Sequence, residues 1–138
     1  METAHAPNLL KTIGKVFEEA QESKLAPAFF ESIDGELCEL SDYLKTTKSQ
    51  AFFVAILFVM SHWKDKVSIN NLIDHFHCSI VQILEFNNDF EFLLSRHILT
   101  KQKSKYLRKL HPTKNEFAIH ESIVEAILHN KPMPELEE

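Results

Sequence analysis

The most hydrophobic stretch of the chain runs from Gln50 to Trp63 and reads QAFFVAILFVMSHW. Eight large apolar side chains lie within ten consecutive residues of it, too many for a helix with one polar face. A helix that is apolar on every side has to be surrounded by other elements. The pattern therefore predicts a central buried helix, which follows the polar residues 46–49 and ends near residues 64–66.

The residues before this stretch predict three further helices. Asn8 is a suitable N-cap for the first, whose apolar residues recur at helical spacing to about Gln21. Pro27 suits the first turn of the second helix. The third has an apolar face formed by Leu37, Leu40 and Leu44. We interpret residues 1–45 as an N-terminal helical arm that lies over the rest of the chain.

The pattern after the central helix predicts a short strand that includes Val67 and Ile69, and a helix over residues 69–76 (INNLIDHF). A turn at residues 77–78 leads to a second helix with Ser79 as its N-cap, which restarts or kinks at residues 87–89 and continues to His97. The inward residues of this second helix are expected to be Ile80, Ile83 and Leu84. Two helices joined by a short turn are the components of a helix-turn-helix unit.

The period then changes from helical to extended. Residues 98–101 can pair with residues 116–119, with further extended chain at 105–110 and a tip at 111–115 (HPTKN). A last helix is expected over residues 121–129, with its apolar side formed by Ile123, Val124, Ile127 and Leu128. Residues 132–138 have no packing pattern, and we interpret them as a tail or linker to a downstream domain outside this chain.

The order of these elements defines the expected fold class. It is mainly α with a small two-stranded β-hairpin, and two glycines and five prolines disfavour an all-β fold with many tight turns. Helix, strand, helix, helix and hairpin in this order is the arrangement of a winged helix. We therefore expect the N-terminal helical arm (1–45), a winged-helix-like domain (46–131) and a tail (132–138).

Charge is unevenly distributed along the chain. The formal net charge is −5, but residues 101–114, here called the basic segment, contain six of the fifteen Lys and Arg residues and no acidic residue. Any surface that binds anions must therefore be local. The candidate partner or nucleic-acid contact in this segment consists of Lys101, Lys103, Lys105, Tyr106, Arg108, Lys109 and Lys114.

Three interpretations of the basic segment remain open. In a winged helix such a hairpin can lie along DNA phosphates while the second helix enters the major groove. Residues 80–89, which would form that helix, contain no Lys or Arg and include Glu85 and Asp89. The alternatives are contact with an acidic protein or another domain of the parent chain, and a hairpin that is only solvated.

Metal binding and catalysis find little support in the sequence. His75, His77 and Cys78 are close together, but residues two apart on a helix point away from each other and zinc needs three or four convergent ligands. We expect histidines at a helix end near a carbonyl, and a core cysteine. Cys78 follows a histidine without a nucleophile motif around it, so no catalytic site is expected in this chain.

Several features favour a reduced, cytoplasmic setting. Cys38 and Cys78 are forty residues apart and form no framework, and we expect both to be buried, inert thiols. The N-terminus has no signal-peptide pattern, and the central apolar run is half the length of roughly 20 residues needed to span a bilayer. No membrane partner is expected.

The chain contains eleven phenylalanines, most of them at inward positions. Phe86 and Phe92 lie off the main inward spacing, and exposed aromatic residues often mark interfaces. Self-association, or docking on a neighbouring domain, is therefore a hypothesis.

Residues 49–133 resemble the N-terminal winged-helix region that precedes the ATPase module in a group of bacterial AAA ATPases. The resemblance covers a small strand, a helix ending in a histidine, a Cys-Ser turn, a leucine-rich helix and an exit into the hairpin. The matching residues are Val67, Leu72, His75, Cys78, Ser79, Ile83, Leu84, Leu93, Arg96, Ile98 and Leu99.

This resemblance implies a non-catalytic interaction or substrate-recruitment domain, with ATP and Mg²⁺ bound by a module outside this chain. The sequence agrees with that division, because a phosphate-binding loop reads G-x-x-x-x-G-K-[ST] and the only two glycines, Gly14 and Gly35, do not fit it. The alternative function is a winged-helix DNA-binding domain. The partner is expected to be a protein or an adjacent domain of the same chain, and nucleic acid and an oligomer remain open.

Overall fold

The chain is mainly helical over residues 9–62, 67–102 and 116–136, which are the residues that the computed structural model describes. The helices there are α1 (Leu9–Ala20), α2 (Pro27–Ser32), α3 (Asp34–Leu44), α4 (Lys48–Met60), α5 (Ile69–Phe76), α6 (Ile80–Leu84), α7 (Asn87–Ser95) and α8 (Glu121–Leu128). The strands are β1 (Val67–Ser68), β2 (Leu99–Gln102) and β3 (Glu116–Ile119). The expectation of a mainly α chain with a small antiparallel sheet is confirmed.

Helix α4 is the centre of the hydrophobic core. Every residue from Gln50 to Met60 is buried except Val59, which is half-buried, so the helix is enclosed on all sides as the pattern predicts. Its N-terminus has a capping box. The Thr47 hydroxyl accepts a hydrogen bond from the Gln50 amide (3.2 Å), and the Gln50 side chain accepts one from the Thr47 amide (3.1 Å).

Helix α4 ends at Met60, which is earlier than the expected end near residues 64–66. The carbonyl of Phe58 accepts hydrogen bonds from the Ser61 hydroxyl (3.0 Å) and from Nδ1 of His62 (2.7 Å). Side chains that bond to nearby backbone groups compete with continuation of the helix. The polar residues that follow the apolar run therefore end the helix where they begin.

The N-terminal helices belong to the same hydrophobic core as the rest of the chain. Ile13 and Val16 of α1 and Leu40 and Leu44 of α3 are buried in one cluster with α4 and with Ile123 of α8. The expected arm (1–45) thus contributes a wall of the core around α4. The same burial also explains the leucine spacing of α3.

The connection between α1 and α2 is joined to the turn between α5 and α6. The Glu22 amide donates to the His75 carbonyl (2.8 Å) and the Lys24 amide to the Phe76 carbonyl (2.8 Å). Carbonyls at the end of a helix have no partner within the helix, and here the connection between α1 and α2 supplies two amide donors. Gln82 in α6 completes the contact by donating from Nε2 to the Lys24 carbonyl (2.9 Å).

The sheet has three antiparallel strands in the order β1-β3-β2, where the sequence predicted a two-stranded hairpin. In β2–β3, Leu99 pairs with Ile119 and Lys101 with Phe117. A short strand with Val67 and Ile69 was predicted, but β1 covers Val67–Ser68 and Ile69 begins α5. The pairing of Val67 with Phe117 was not predicted, because two residues have too little pattern to specify a partner. The segments 105–110 and 111–115 lie outside the described residues.

Two leucines expected to face inward are exposed. Leu84 is 47% exposed and Leu128 is 43% exposed, although Ile83 and Ile127 beside them are buried. The spacing of Ile80, Ile83 and Leu84 suits a longer helix, but α6 ends at Leu84 and the chain turns there. Phe86 in that turn is half-buried and packs against the core.

The segment after α8 packs on the core, contrary to the expectation of a tail without packing. Met133 and Leu136 are half-buried against the cluster. The Tyr43 hydroxyl of α3 donates a hydrogen bond to the Lys131 carbonyl (2.7 Å). Apolar residues separated by prolines and glutamates show no helical or strand period, which is why the pattern missed this contact.

Candidate functional site

The basic segment lies almost entirely outside the described residues. Of its candidate contact residues, only Lys101 falls within a described element, where its backbone pairs with Phe117 in the sheet. Lys103, Lys105, Tyr106, Arg108, Lys109 and Lys114 lie outside it. Their role as a contact for a partner or for nucleic acid therefore stays a prediction.

Helix α6 presents an exposed apolar face. Val81 is 60% exposed and Leu84 47%. Residues three apart on a helix share one side, so these two side chains form a common exposed stripe. The helix is fixed beneath it by buried Ile83 and by a capping box, in which the Ser79 hydroxyl accepts from the Gln82 amide (3.2 Å). The exposed stripe of Val81 and Leu84 therefore belongs to a helix whose position is fixed by packing and by its cap.

A groove of about 330 Å³ begins where α6 ends. Phe86, Phe30 and buried Leu37 provide its apolar lining, and the Phe30 and Phe86 ring centroids are 6.5 Å apart. Its polar rim consists of Glu31, Asp34, Lys48 and Ser49. We call the following set the α6 surface: Val81, Leu84, Glu85, Phe86, Phe30, Glu31 and Leu37.

Phe86 and Phe92, which the spacing placed off the inward face, are both half-buried and packed against the core. The Phe86 ring centroid lies 5.0 Å from that of Phe53 in α4. The Arg96 guanidinium lies 5.4 Å from the centre of the Phe92 ring, within the range of a cation–π contact. Phe86 thus forms part of the lining of the groove, and Phe92 is covered on one side by Arg96.

The elements around the α6 surface are acidic apart from Lys48 and Lys24, whose backbone carbonyl binds Gln82 of α6. Residues 25–44 contain five Asp and Glu residues and residues 67–95 contain four, and neither segment contains Lys or Arg. Lys48 on the groove rim forms an ion pair with Asp34, with 2.8 Å between Nζ and Oδ1. The hydrogen bond and charge of Lys48 hold the pKa of Asp34 below its usual value. Glu31 on the same rim then leaves the groove with a net negative charge.

The histidine and cysteine residues have structural surroundings. His75 Nε2 lies 2.9 Å from the Phe17 carbonyl, and its ring stacks on Phe17 at a centroid distance of 4.1 Å. The expected carbonyl contact is therefore confirmed for His75. Cys38 and Cys78 are free and half-buried rather than fully buried, and burial raises the pKa of the Cys78 thiol. Across the part of the chain that the structure describes, no three His, Cys, Asp or Glu residues are arranged to hold a metal ion.

A larger cavity of about 600 Å³ lies between α1, α3 and the segment after α8. Leu9, Tyr43 and Met133 provide apolar lining, and Glu39 and Asp42 provide carboxylates. Burial raises the pKa of Tyr43, whose hydroxyl is already bound to the Lys131 carbonyl. The lining residues within the described ranges include no Cys, His or Ser, so they supply no nucleophile of the kind used in acyl transfer.

No helix within the described residues combines the length and the apolar character needed to cross a membrane. Comparison with protein-family models, with curated proteins and with solved structures identified no match to this chain. Two features of the chain's own chemistry bear on its function: exposed Val81 and Leu84 of α6 beside an acidic groove, and a basic segment elsewhere in the same sequence.

Proposed function

We propose that this chain is a non-catalytic interaction domain of winged-helix type that binds a protein partner. The order α4, β1, α5, α6, α7, β2, β3 and the strand order β1-β3-β2 support this arrangement. In this proposal, α6 and α7 together correspond to the second helix of a helix-turn-helix unit, with a break at Glu85 and Phe86.

The observation that carries the proposal is the chemistry of α6. Its exposed side is formed by Val81 and Leu84, and the whole span from residue 67 to residue 95 holds four acidic residues and no Lys or Arg. DNA binding depends largely on cations that neutralise phosphates, and the commonest specific base contact is made by Arg or Lys. An apolar stripe in acidic surroundings favours a protein surface instead.

The parent protein in this proposal is a bacterial AAA ATPase, in which the domain recruits substrates or partners. The resemblance over residues 49–133 supports it. ATP and Mg²⁺ would be bound by a separate ATPase module, and no residue of this chain is assigned to them.

The reading frame after Glu138 tests the parent assignment. We expect it to encode a G-x-x-x-x-G-K-[ST] loop after a hydrophobic strand, followed by an acidic strand end that holds Mg²⁺. A frame that ends directly after Glu138 would overturn the ATPase assignment. The protein-binding role of α6 would then have to stand on binding measurements alone.

The second candidate function is a DNA-binding winged helix, which the basic segment favours. If DNA is the partner, the variant K103E/K105E/K109E should lose binding to duplex DNA and show a weaker salt dependence. The logarithm of the affinity falls with the logarithm of the salt concentration, with a slope of about 0.9 for each neutralised phosphate.

Under the preferred function, we expect the unaltered protein to bind duplex DNA weakly and the variant to change that binding little at physiological salt. Fluorescence anisotropy with labelled duplexes across a salt series measures both quantities. Tight binding by the unaltered protein that the three substitutions abolish would favour the DNA-binding candidate. K11E/K45E/K131E, which alters three exposed lysines outside the basic segment, is the matched control for a nonspecific change in charge.

A further inference from the structure

We propose that the α6 surface binds the basic segment of a second copy of this chain, so that copies associate head to tail. The inference rests on the proposed function, because it identifies the partner of the same α6 surface. Its two components are a receiving surface among the described residues and a complementary segment at residues 101–114.

The receiving surface combines apolar area with negative charge. Val81 and Leu84 are exposed, and Phe30 and Phe86 line the groove that continues from them. Exposed apolar residues beside a groove are typical of a protein contact. Because Lys48 is engaged by Asp34, the remaining rim carboxylate of Glu31 and the nearby exposed Glu85 favour a ligand with positive charge.

The basic segment has the opposite charge and shares the apolar character. It contains six Lys and Arg residues and no acid, and Tyr106, Leu107 and Leu110 lie among them. Outside it the chain has nine basic and twenty acidic residues. A segment with cations around aromatic and aliphatic side chains matches a groove with carboxylates around phenylalanines.

The two components lie in different parts of the sequence, so each contact joins unlike surfaces. A head-to-tail arrangement is heterologous, whereas two copies that exchange segments reciprocally would close into a dimer. Each copy then offers one receiving surface and one segment, and association continues beyond a dimer unless the copies close into a ring. Ion pairing across the contact makes the association weaker at high salt. A contact within a single copy would not depend on protein concentration, and this separates the two cases.

Two variants test the proposal in combination. The surface variant, V81K/L84K, replaces exposed residues of α6 and opposes the charge of the segment. The segment variant is K103E/K105E/K109E. We expect the weight-average mass of the unaltered protein at low salt to rise from that of a monomer to at least twice that value with concentration. Each variant alone should remain a monomer.

The mixture of the two variants gives the decisive result. The surface variant still has an intact segment and the segment variant an intact α6 surface, so an equimolar mixture should form heterodimers and nothing larger. Analytical ultracentrifugation measures both species. L10K/L128K, which alters two other exposed leucines, is the matched control and should associate like the unaltered protein.

Three outcomes would overturn the proposal. They are a monomer at all concentrations and salt conditions, association that both variants retain, and a mixture that forms no heterodimer. A free peptide of residues 101–115 distinguishes this failure from failure of the proposed function. If the peptide binds a monomeric protein but not V81K/L84K, self-association is wrong and the α6 surface remains a site for basic protein segments.

Discussion

Replacing Phe53 by alanine is expected to lower the free energy of unfolding by about 3–5 kcal/mol, the range for large-to-small substitutions of buried aromatic residues. The Phe53 side chain is fully buried. Its ring centroid lies 5.0 Å from those of Phe52 and Phe86 and 4.9 Å from that of Phe90. Alanine removes all of these ring contacts at once and leaves a cavity between α4, α7 and the end of α6.

Urea unfolding followed by circular dichroism measures this loss. Phe53→Leu keeps most of the volume and should cost less than about 1.5 kcal/mol, provided that the neighbouring rings repack. Phe29→Ala is the matched control, because Phe29 is half-buried at the edge of the same cluster and packs beside Phe30 and Phe52. Equal losses for Phe53→Ala and Phe29→Ala would contradict the central position of Phe53.

The expected size of the effect follows from how the phenylalanines connect the molecule. Phe30 of α2 packs on Phe52, Phe52 on Phe53, Phe53 on Phe90, and Phe90 stacks on Phe117 of β3 at 5.3 Å. The series runs from the N-terminal helices through α4 to the sheet. A cavity at Phe53 thus weakens the contact between the parts on either side of residue 45.

The central helix and its neighbours could be predicted because hydrophobic periodicity and burial agree there. Helix α1 has the bounds expected from its spacing, and α4 is surrounded on all sides as its composition requires. Ser79 was recognisable as a cap because a short polar residue precedes the apolar run, and Gln82 completes the box. Helices and caps of this kind can be predicted from neighbouring residues in the sequence alone.

The connection from α1 to α2 could not be predicted for the opposite reason. Glu22, Lys24 and Leu25 have left-handed backbones with φ of 59°, 59° and 56°, and none is Gly or Asn. The amides of Glu22 and Lys24 donate to the carbonyls of His75 and Phe76 at the end of α5, and the Leu25 amide donates to Ser23 Oγ (3.2 Å). Contacts of this kind hold residues in such a backbone conformation. The pairing of β1 and the packing of Met133 likewise depend on distant residues.

The candidate site was predicted in part. The sequence located the basic segment and the lack of cations in residues 80–89, and both observations carry the present proposals. It missed the exposed stripe of α6, because Leu84 fits the inward spacing of a longer helix. The restart or kink was predicted at residues 87–89 from Asn87, Asn88 and Asp89, and the break lies slightly earlier, at Glu85 and Phe86.

Asp89 belongs to an acidic stretch of the sequence, but its carboxylate makes structural hydrogen bonds to the start of α4. Its carboxylate accepts hydrogen bonds from the Ser49 hydroxyl at Oδ2 (2.9 Å) and from Gln50 Nε2 at Oδ1 (3.2 Å). Gln50 is buried, and its other side-chain atom serves the capping box of α4 with Thr47. Asp89 therefore joins the N-terminus of α4 to the first turn of α7, where its negative charge also suits the helix dipole.

We expect Asp89→Ala to lower the free energy of unfolding by about 1–3 kcal/mol, because it leaves the buried Gln50 amide without its acceptor. Asp89→Asn retains an acceptor oxygen and should cost less. In a double-mutant cycle with Ser49→Ala, the two losses should fail to add by at least about 0.5 kcal/mol, as for residues in one network. Glu91→Ala, at an exposed position of the same helix, should change stability by no more than about 0.5 kcal/mol. If Asp89→Ala behaved like Glu91→Ala, the carboxylate would count only as part of the acidic surface, and the link between α4 and α7 would be wrong.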